Sequence, residues 1–515
     1  MKILSFILLL ASAAAGYSYT VNGTVFTTNG SVTDANSAEA ACTDGDTIVI
    51  PPGTFTWGTG NVGLGVYRNI AVMGSGTGQT FIVCDPSCTL NSIFPLTTSG
   101  TVGNLTFVGH ASGITAPFST TGANGWRITN INYDAATNNS GAYFCVVAGN
   151  YGLIDSCTIS LGTADSELIF GRGPTNSWQT PSSMGTQNCV IIENCTFNTK
   201  NVGYLTDANA NARFVVRFCT INGMMWIDGH GLATNSPARG VRHMEIYDNT
   251  WTSSADNWQC LDLRGGSGMV FNNSVPNANP AWLILTEYAC QGPYPNFGNV
   301  VQTAANYPIC DQIGEGQDVY VGGASQGTFQ PAGYIQNTGG SSPYYLWNNT
   351  LMGANFTITN KGVASQAVTL FQTQENNPSA TFTMIGPPGP DIIEEGRDFF
   401  TQGGLSGNAA FTGADGVGVG TTAQMYAITP TKTGVGYWVT DQGSWNTTVA
   451  PNTSGLLYTW NGTGWVLTYT PYTYPDPVRG PGGWVSANSE YYYVPPTAAP
   501  SGTPPPPTGL RVTGS

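Results

Sequence analysis

Short segments that share one arrangement of hydrophobic and polar positions recur along the chain. Three residues before a common alignment position the side chain is always aliphatic, and two residues after it the side chain is always apolar or aromatic. The residue directly after the alignment position is Thr, Ser or Asn in every segment. The alignment position is occupied by Leu105, Ile131, Cys157, Cys195, Cys219, Asn249, Asn273 and Asn349. Successive intervals are 26, 26, 38, 24, 30, 24 and 76 residues, and the last equals about three units of 25.

A unit of about 25 residues with short strands, polar turns and no helical segment predicts an all-β parallel β-solenoid. Each turn of the chain, here called a coil, buries its apolar face against neighbouring coils, with equivalent side chains about 4.8 Å apart. We expect roughly twelve coils between residues 45 and 355, a length on the order of 55–60 Å. Asn249, Asn273 and Asn349 then hydrogen-bond along the stack, and the three cysteines of the alignment position pack as small hydrophobes.

The pattern changes at both ends of the predicted solenoid. Ser31 or Asp34, followed by the Ala-rich residues 35–42, predicts a short capping helix, and residues 45–57 predict two strands around a turn. Residues 456–469 predict a hairpin around Asn461-Gly462. The chain therefore divides into residues 1–15, a signal peptide; 16–390, a solenoid with an N-terminal cap; 391–490, an aromatic-rich β region; and 491–515, a Pro-rich tail.

The first residues predict export. Lys2 is followed by an apolar run over residues 3–11 and by small residues at 13–15, the order found in a secretory signal. We therefore expect a secreted protein, extracellular or at the cell surface, and no later stretch is apolar enough to span a membrane. Eleven cysteines in an exported chain suggest disulfides. The spacing leaves open a local Cys84–Cys88 bridge and a Cys290–Cys310 bridge.

Composition and charge exclude several classes of protein. Charged residues make up only 9% of the chain, which does not suit a coiled coil or a helical bundle, whereas 41% hydrophobic residues are enough to form a core. The chain has 15 basic and 29 acidic residues and a net charge of −14. Because nucleic-acid binding depends on clustered Lys and Arg, this charge balance excludes nucleic acid as a main partner.

The repeats and both ends resemble a known group of proteins. GDTIVIPPGTFTW (45–57) and YLWNNT (345–350) resemble right-handed parallel β-helix proteins of the pectate-lyase-like superfamily. EEGRDFF (394–400), GVGYWVTDQGSWN (434–446) and PYTYPDPVR (471–479) resemble the C-terminal part of uncharacterised secreted bacterial members. The resemblance implies a right-handed parallel β-helix and a polysaccharide partner. The same fold also serves hydrolases, phage tailspikes, adhesins and inert surface proteins.

Two strands carry polar residues that alternation places on the outside of the solenoid. In MMWIDGH (224–230), Trp226, Asp228 and His230 point outward, and in CLDLRGG (260–266), Asp262 and Arg264 point outward. If the two strands occupy neighbouring coils, these side chains form one exposed patch. The patch is either a solvated surface ladder of charges or a functional site.

The functional interpretation follows the resemblance to pectate lyases, in which Ca²⁺ is held by carboxylates and an Arg or Lys acts as base. In β-elimination a base removes the proton next to the uronate carboxylate, while a cation stabilises the charge that develops. Oxygen ligands suit Ca²⁺. The candidates are the catalytic residues Arg264, Arg242 and His230; the substrate-binding residues Trp226, Arg217 and Arg239; and the calcium ligands Asp228, Asp262 and Asp207.

Two alternatives remain open. Gly229-His230-Gly231 resembles the Gly-His-Gly of polygalacturonase-type hydrolases, but no Asp-Asp pair lies upstream, where the second acid motif is expected. The other alternative is a non-catalytic carbohydrate-binding, adhesion or structural role. Exposed aromatic side chains near the C-terminus can stack on sugar rings, or they can close the end of the solenoid. These residues are Tyr437, Trp438, Trp445, Tyr458, Trp460 and Trp465.

Overall fold

The computed structural model describes most of the chain between residues 18 and 492. The described ranges are 18–109, 116–122, 124–135, 143–160, 167–173, 183–199, 203–209, 211–223, 225–229, 241–252, 260–263, 265–275, 283–287, 319–321, 334–336, 342–351, 356–360, 395–402, 410–479, 485–487 and 490–492. The predicted signal peptide and Pro-rich tail lie outside these ranges, as do Cys290 and Cys310.

The described elements are two α-helices, two short 3-10 turns and thirty-eight strands. The helices are α1 (Val32–Ala41) and α2 (Thr422–Tyr426), and the 3-10 turns are Thr59–Asn61 and Pro477–Arg479. The first strands are β1 Thr20–Asn22, β2 Val25–Thr27, β3 Thr47–Ile50, β4 Gly53–Trp57, β5 Ala71–Gly74, β6 Thr80–Cys84, β7 Ser92–Leu96, β8 Thr101–Val108, β9 Ala116–Thr121, β10 Trp126–Asp134, β11 Cys145–Ala148, β12 Gly152–Asp155 and β13 Thr158–Ser160. They are followed by β14 Glu167–Arg172, β15 Val190–Glu193, β16 Thr196–Asn198, β17 Gly203–Asn209, β18 Arg213–Arg217, β19 Thr220–Asn222, β20 Met225–Gly229, β21 His243–Tyr247, β22 Thr250–Trp251, β23 Leu261–Leu263, β24 Ser267–Phe271, β25 Ser274–Val275 and β26 Leu283–Glu287. The last are β27 Val319–Val321, β28 Tyr334–Gln336, β29 Tyr344–Trp347, β30 Thr350–Leu351, β31 Phe356–Asn360, β32 Phe399–Thr401, β33 Val417–Gly420, β34 Gly436–Val439, β35 Leu456–Trp460, β36 Trp465–Tyr469, β37 Val485–Ala487 and β38 Glu490–Tyr492.

The N-terminal cap is the predicted short helix. The Ser31 hydroxyl accepts the backbone N–H of Asp34, which satisfies one of the free donors in the first turn of α1. The Asp34 carboxylate in turn accepts the backbone N–H groups of Ser18, Tyr19 and Asn29. One buried carboxylate therefore ties the first strands to the helix that covers the end of the solenoid.

Most strands belong to two long parallel sheets. The first sheet has 21 strands and the second has nine, which follow one another in chain order as β7-β9-β11-β14-β17-β20-β23-β26-β31. In the first sheet β10 pairs with both β12 and β13, so each coil there consists of two strands joined by a sharp corner. A coil therefore has three strands, and stacking the coils gives an all-β, right-handed parallel β-helix.

The register of the first sheet confirms the sequence alignment. Ile128 pairs with Val102 and with Ile154, and the same aliphatic position continues in register through every later coil to Leu346. The Cys157, Cys195 and Cys219 side chains are 1 to 2% exposed, which confirms that this cysteine column belongs to the core. The amide of Asn249 donates to Asn273, whose own amide donates to Asn349, at N–O distances of 3.0 and 2.9 Å.

The corner between the two strands of each coil is a single residue with positive φ. This residue lies directly before the alignment position, and its φ ranges from 49° to 60°. Asn, and to a lesser extent Asp, tolerate this left-handed conformation better than other residues with a side chain. The eight corner residues are Asn104, Asn130, Ser156, Asn194, Phe218, Asp248, Asn272 and Asn348. The abundance of Asn in the repeat therefore has a backbone cause.

The C-terminal region is a separate small sheet that packs on the outer face of the first sheet. The parallel ladder itself continues to β32, which pairs with β29, so it extends past the predicted boundary at residue 390. Strands β33 to β36 form a four-stranded sheet, in which β35 and β36 are the predicted hairpin. Trp438 packs against Phe271 and Trp347 of the solenoid at ring-centroid distances of 5.1 and 4.8 Å. We call β33 to β36 with the following residues 470–479 the C-terminal unit.

Two further observations concern cysteines and membranes. The local Cys84–Cys88 bridge that the spacing left open is not formed, and both side chains are buried as thiols. Cys84 ends β6 and Cys88 follows a turn, so each packs into the core separately. Within the described ranges, neither helix has the length and apolar character needed to cross a bilayer.

Candidate functional site

Three aspartates lie side by side on consecutive coils of the second sheet. Asp207 in β17 pairs in register with Asp228 in β20, and Asp228 pairs in register with Asp262 in β23. The sequence predicted that Asp228 and Asp262 occupy neighbouring coils, and this is confirmed. We call the row of Asp207, Asp228 and Asp262 the aspartate ladder.

Alternation along the strands places the ladder on the outer face of the second sheet. Met225, Ile227 and Leu261 belong to the buried hydrophobic core, so the residues between them point the other way. The predicted exposure is only partly correct. Asp262 is half-buried, but Asp228 is fully buried and Trp226 is 5% exposed. The strand pattern gives the direction of these side chains, whereas their burial depends on what covers the outer face.

The ladder does not form a single metal cage. Equivalent atoms on adjacent strands are about 4.8 Å apart, so the ends of a row of three are separated by about 9.6 Å. In agreement, the carboxylate oxygens of the three aspartates do not all lie within 4.8 Å of one another. Two neighbouring carboxylates can hold one Ca²⁺, with the remaining ligands supplied by water or by a bound anion. The donor set therefore fits Ca²⁺ as pairs along a row.

Aromatic side chains flank the ladder on the same face. Tyr204 and Trp226 are in register, and their ring centroids are 4.4 Å apart. One coil before Asp207, Phe170 packs against Tyr143 at 5.7 Å, and the exposed guanidinium of Arg172 lies 5.4 Å from the Phe170 ring.

The Tyr143 hydroxyl is hydrogen-bonded to Glu167, and Asp207 of the ladder is close enough to influence it electrostatically. Burial, Glu167 and, to a smaller degree, Asp207 raise the pKa of Tyr143 to about 12, so its hydroxyl stays protonated at neutral pH. We call the ladder together with Tyr143, Phe170, Tyr204, Trp226 and Arg172 the aspartate face. It combines carboxylates, aromatic rings and one exposed cation.

Arg217 does not have the substrate-binding role predicted for it. It lies in β18 of the first sheet, is 0% exposed, and its guanidinium is 2.6 Å from the Glu193 carboxylate. The same guanidinium donates to the backbone carbonyls of Tyr472 and Thr473 at 2.6 and 2.9 Å. Arg217 therefore fastens the C-terminal unit to the solenoid and is not available to a substrate.

Arg242 also differs from its predicted role as a catalytic base. It directly precedes β21 of the first sheet, its backbone N–H donates to the Ala212 carbonyl, and its side chain is 2% exposed. A base must reach the substrate, and this side chain is buried beside β21 of the first sheet, whereas the aspartate ladder lies on the second sheet. The remaining predicted residues His230, Arg239 and Arg264 lie outside the described residues.

Sequence reasoning missed the residues that complete the aspartate face. The register of β11, β14 and β17 brings three aromatic residues next to the ladder, namely Tyr143, Phe170 and Tyr204. The sequence does not show this register, because the lengths of the coils vary too much. Spacing gave one usable signal, which is an aromatic residue shortly before an aspartate in both strands. Trp226 stands two residues before Asp228, and Tyr204 stands three residues before Asp207. The extra residue is a β-bulge between Tyr204 and Thr206.

A second concave feature lies away from the ladder. A cleft of about 240 Å³ runs between the first sheet and the C-terminal unit. Its lining includes Trp126, Tyr151, Gln187, Tyr472 and Asp476. The cleft contains a single carboxylate and no described partner for acid–base chemistry, so the aspartate face is the stronger candidate.

Comparisons with known proteins identify no family for this chain. No family model matches it, and no curated protein matches it. Among solved structures, a PL6-family polysaccharide lyase from Pseudopedobacter saltans is 12% identical, with a TM-score of 0.36, and the match covers 67% of this chain and 79% of that one. ORF18 of Geobacillus virus E2 is 10% identical, with a TM-score of 0.23, and the match covers 65% of this chain and 61% of that one. At these values the likeness carries no argument about function.

Proposed function

We propose that this protein is exported and that its aspartate face binds an acidic polysaccharide through Ca²⁺ and cleaves it by lyase-like β-elimination. The observation that carries the proposal is the in-register row of Asp207, Asp228 and Asp262 on the outer face of the second sheet. The aromatic residues beside the row and the predicted signal peptide support it.

The ladder concentrates three carboxylates on one face of the second sheet. Like charges directly opposite each other on adjacent strands destabilise a sheet, and Asp207 and Asp228 are also 8% and 0% exposed. Neighbouring ladder carboxylates would hold a divalent cation such as Ca²⁺, which would add to the groups that offset this charge and would supply affinity for the carboxylate of a uronate. The cation therefore joins an acidic protein to an acidic glycan.

The flanking rings supply the apolar part of sugar recognition. The half-buried rings of Tyr143, Phe170 and Tyr204 present aromatic surface beside the ladder, and the buried Trp226 packs against Tyr204 from the next coil. Sugar rings have apolar faces that stack on such side chains. The ladder and the rings run along the same axis, so an extended chain of sugar residues is the ligand shape that suits them.

Elimination also needs a base close to the cation. Arg264 is two residues beyond Asp262 in the sequence, and we propose it as the base, with His230 as the second candidate. In this mechanism Ca²⁺ stabilises the negative charge that develops on the uronate carboxylate. The chain's own part is to hold the sugar with the proton to be removed facing the base.

Two alternative functions have specific observations in their favour. Neighbouring ladder carboxylates are spaced close to the roughly 5–5.5 Å found between the acid pair of retaining glycosidases, which favours a hydrolase. The burial of Arg217 and Arg242 removes two of the predicted cationic groups, which favours glycan binding without cleavage. Both alternatives use the same face, and the products of the reaction separate them.

Replacing Asp262 by Asn tests the site, with Asp134→Asn as the matched control. Both aspartates are half-buried, but Asp134 lies in β10 of the first sheet. We expect Asp262→Asn to lose most of the Ca²⁺-dependent binding and cleavage of acidic glycans, while Asp134→Asn retains both. Equal activity in the two variants would place the site elsewhere. New reducing ends without unsaturated product would identify a hydrolase, and binding alone would identify a lectin-like protein.

A further inference from the structure

A buried Cys–His–Glu cluster lies on the first sheet beneath the C-terminal unit. Cys189 directly precedes β15, while His243 and Glu245 stand two residues apart in β21, so their side chains share one face of the sheet. All three side chains are 0% exposed. This cluster is separate from the aspartate face, which belongs to the second sheet.

The three ligand atoms converge on one point. Sγ of Cys189 is 3.3 Å from Nε2 of His243, and the same Nε2 is 3.4 Å from Oε1 of Glu245. Sγ of Cys189, the His243 ring nitrogen and the Glu245 oxygen all lie within 4.8 Å of one another. Zinc bonds are about 2.3 Å long to sulfur and about 2.0–2.1 Å long to nitrogen and oxygen. At tetrahedral angles, these lengths place S and N about 3.5 Å apart, and N and O about 3.3 Å apart. The observed separations match this geometry closely.

Hydrogen bonding explains the convergence less well. One ring nitrogen carries either a proton or a lone pair, and here it faces a thiol and a carboxylate at once. A catalytic relay uses the two ring nitrogens for its two partners, whereas the Cys189 and Glu245 contacts both fall on Nε2. A metal ion bonded to all three atoms would replace both contacts at Nε2, and a Cys189 thiolate would give up only the weak 3.8 Å contact of its thiol with the Ser183 carbonyl.

We propose that Cys189, His243 and Glu245 bind a Zn²⁺, with a non-protein ligand such as water completing its tetrahedral coordination. Thiolate, imidazole and carboxylate are the ligand types that zinc prefers, and a thiolate with a carboxylate balances the charge of the ion. Arg213 and Arg242 lie close enough to influence His243 electrostatically, and they add positive charge beside the cluster. The two anionic ligands are therefore both required for binding.

The surroundings orient the carboxylate and connect the site to the C-terminal unit. The backbone N–H of Gly185 donates to Oε1 of Glu245 at 3.0 Å, and the Tyr469 hydroxyl donates to Oε2 at 2.5 Å. Tyr469 ends β36 of the C-terminal unit. Hydrogen bonds to ligating carboxylates fix their orientation, so the zinc site would link the solenoid to this unit.

Cobalt substitution of the purified full-length protein tests the proposal. After chelator treatment, we expect one Co²⁺ per chain to give a thiolate-to-cobalt charge-transfer band and the visible bands of tetrahedral coordination, both abolished by added Zn²⁺. Cys189→Ala should lose the charge-transfer band. The control Cys145→Ala, also 0% exposed, should retain it, and so should Asp262→Asn.

Three results would overturn the proposal. The site is excluded if folded wild-type protein takes up no Co²⁺ or binds it without a charge-transfer band. It is also excluded if the band survives Cys189→Ala. If Cys189→Ala fails to fold, the conservative Cys189→Ser decides the question, because it keeps the shape of the side chain but should still lose the thiolate band. Because calcium sites give no thiolate band, the outcome is independent of the proposed glycan site.

Discussion

Corner residues show how one backbone angle selects an amino acid throughout the repeat. The left-handed conformation costs an ordinary L-residue roughly 1–2 kcal/mol, and Asn tolerates it through local hydrogen bonds. Asn or Asp occupies six of the eight corners, and Ser156 and Phe218 are the exceptions. The Phe218 ring stacks on Tyr474 of the C-terminal unit at a centroid distance of 3.6 Å, so packing offsets its backbone cost.

Asn348 is a suitable corner for measuring this cost, because it is half-buried and its φ is 51°. We expect Asn348→Val to lower the free energy of unfolding by about 1–2 kcal/mol, since a β-branched residue resists positive φ. Asn348→Gly should retain most of the stability. Urea unfolding of the three proteins checks this, and equal losses in Val and Gly would show that the Asn side chain, and not φ, matters.

Arg217 is the residue for which the predicted and the observed roles differ most. Its guanidinium is buried with Glu193 and the carbonyls of Tyr472 and Thr473. We expect Arg217→Ala to destabilise the protein by about 3–5 kcal/mol, because it leaves the Glu193 carboxylate buried without this partner. The exposed Arg172→Ala is the control and should change stability little. A stable Arg217→Ala protein with impaired glycan binding would restore the original assignment.

At the level of the strand, the asparagine column stabilises the stack by satisfying buried polar groups. Asn273 accepts from Asn249 and donates to Asn349 and to the Ile246 carbonyl. Each coil therefore depends on its neighbours for hydrogen bonds as well as for apolar contact. This cooperation between coils is typical of repeat proteins, whose stability is a sum of neighbouring interfaces.

Asn273→Ala should interrupt this column. Removing the amide leaves its buried partners unsatisfied at about 1–3 kcal/mol for each group, so we expect a loss of about 2 kcal/mol or more. The exposed Asn188→Ala provides the baseline. Thermal unfolding of the two variants measures the difference, and equal melting temperatures would mean that the column contributes no stability.

The sequence predicted the first sheet residue by residue but not the second. In the first sheet the aliphatic and aromatic positions fix the register, because a slip by one residue would turn them toward solvent. The strands of the second sheet are separated by segments of unequal length, so the alignment of Phe170 with Asp207 needed the structure. The outward direction of Asp228 and Asp262 was predictable from alternation, whereas the burial of Asp228 was not.

Across the whole molecule, the C-terminal unit contacts coils that are hundreds of residues earlier in the chain. Arg479 forms ion pairs with Glu193 and Asp155. Such contacts leave no periodic signal in the sequence, which explains why the aromatic cluster was predicted to bind sugars or close the solenoid end. Trp438 and Trp445 instead pack on the outer face of the first sheet.

Attachment of the C-terminal unit should depend on pH through Asp476. Burial, and to a lesser degree Glu193 and Asp155, raise the pKa of Asp476 from 3.8 to about 6. Between about pH 4 and pH 6 the Asp476 carboxyl is protonated in the folded state and ionised in the unfolded state. The contribution of this group to the free energy of unfolding is therefore lost as the pH rises through about 6.

Asp476→Asn isolates that contribution. The Asn oxygen can still accept the Val478 backbone N–H that Asp476 binds at 2.9 Å. We expect the variant to match the wild type at about pH 3.5, below the unfolded pKa, and to be more stable than it at about pH 8. Melting temperatures across this range test the sign, and a variant that is less stable at the higher pH would show that Asp476 is stabilised as a carboxylate.

The most direct test of the central claim is ultraviolet absorbance of the unsaturated uronate product. Purified wild-type protein is incubated with pectate, alginate and glycosaminoglycans, each with Ca²⁺ and with chelator. The aspartate ladder predicts a rise in absorbance on an acidic glycan that requires Ca²⁺ and disappears in Asp262→Asn. A flat trace on every substrate, with no new reducing ends and no Ca²⁺-dependent binding, would contradict the proposed function.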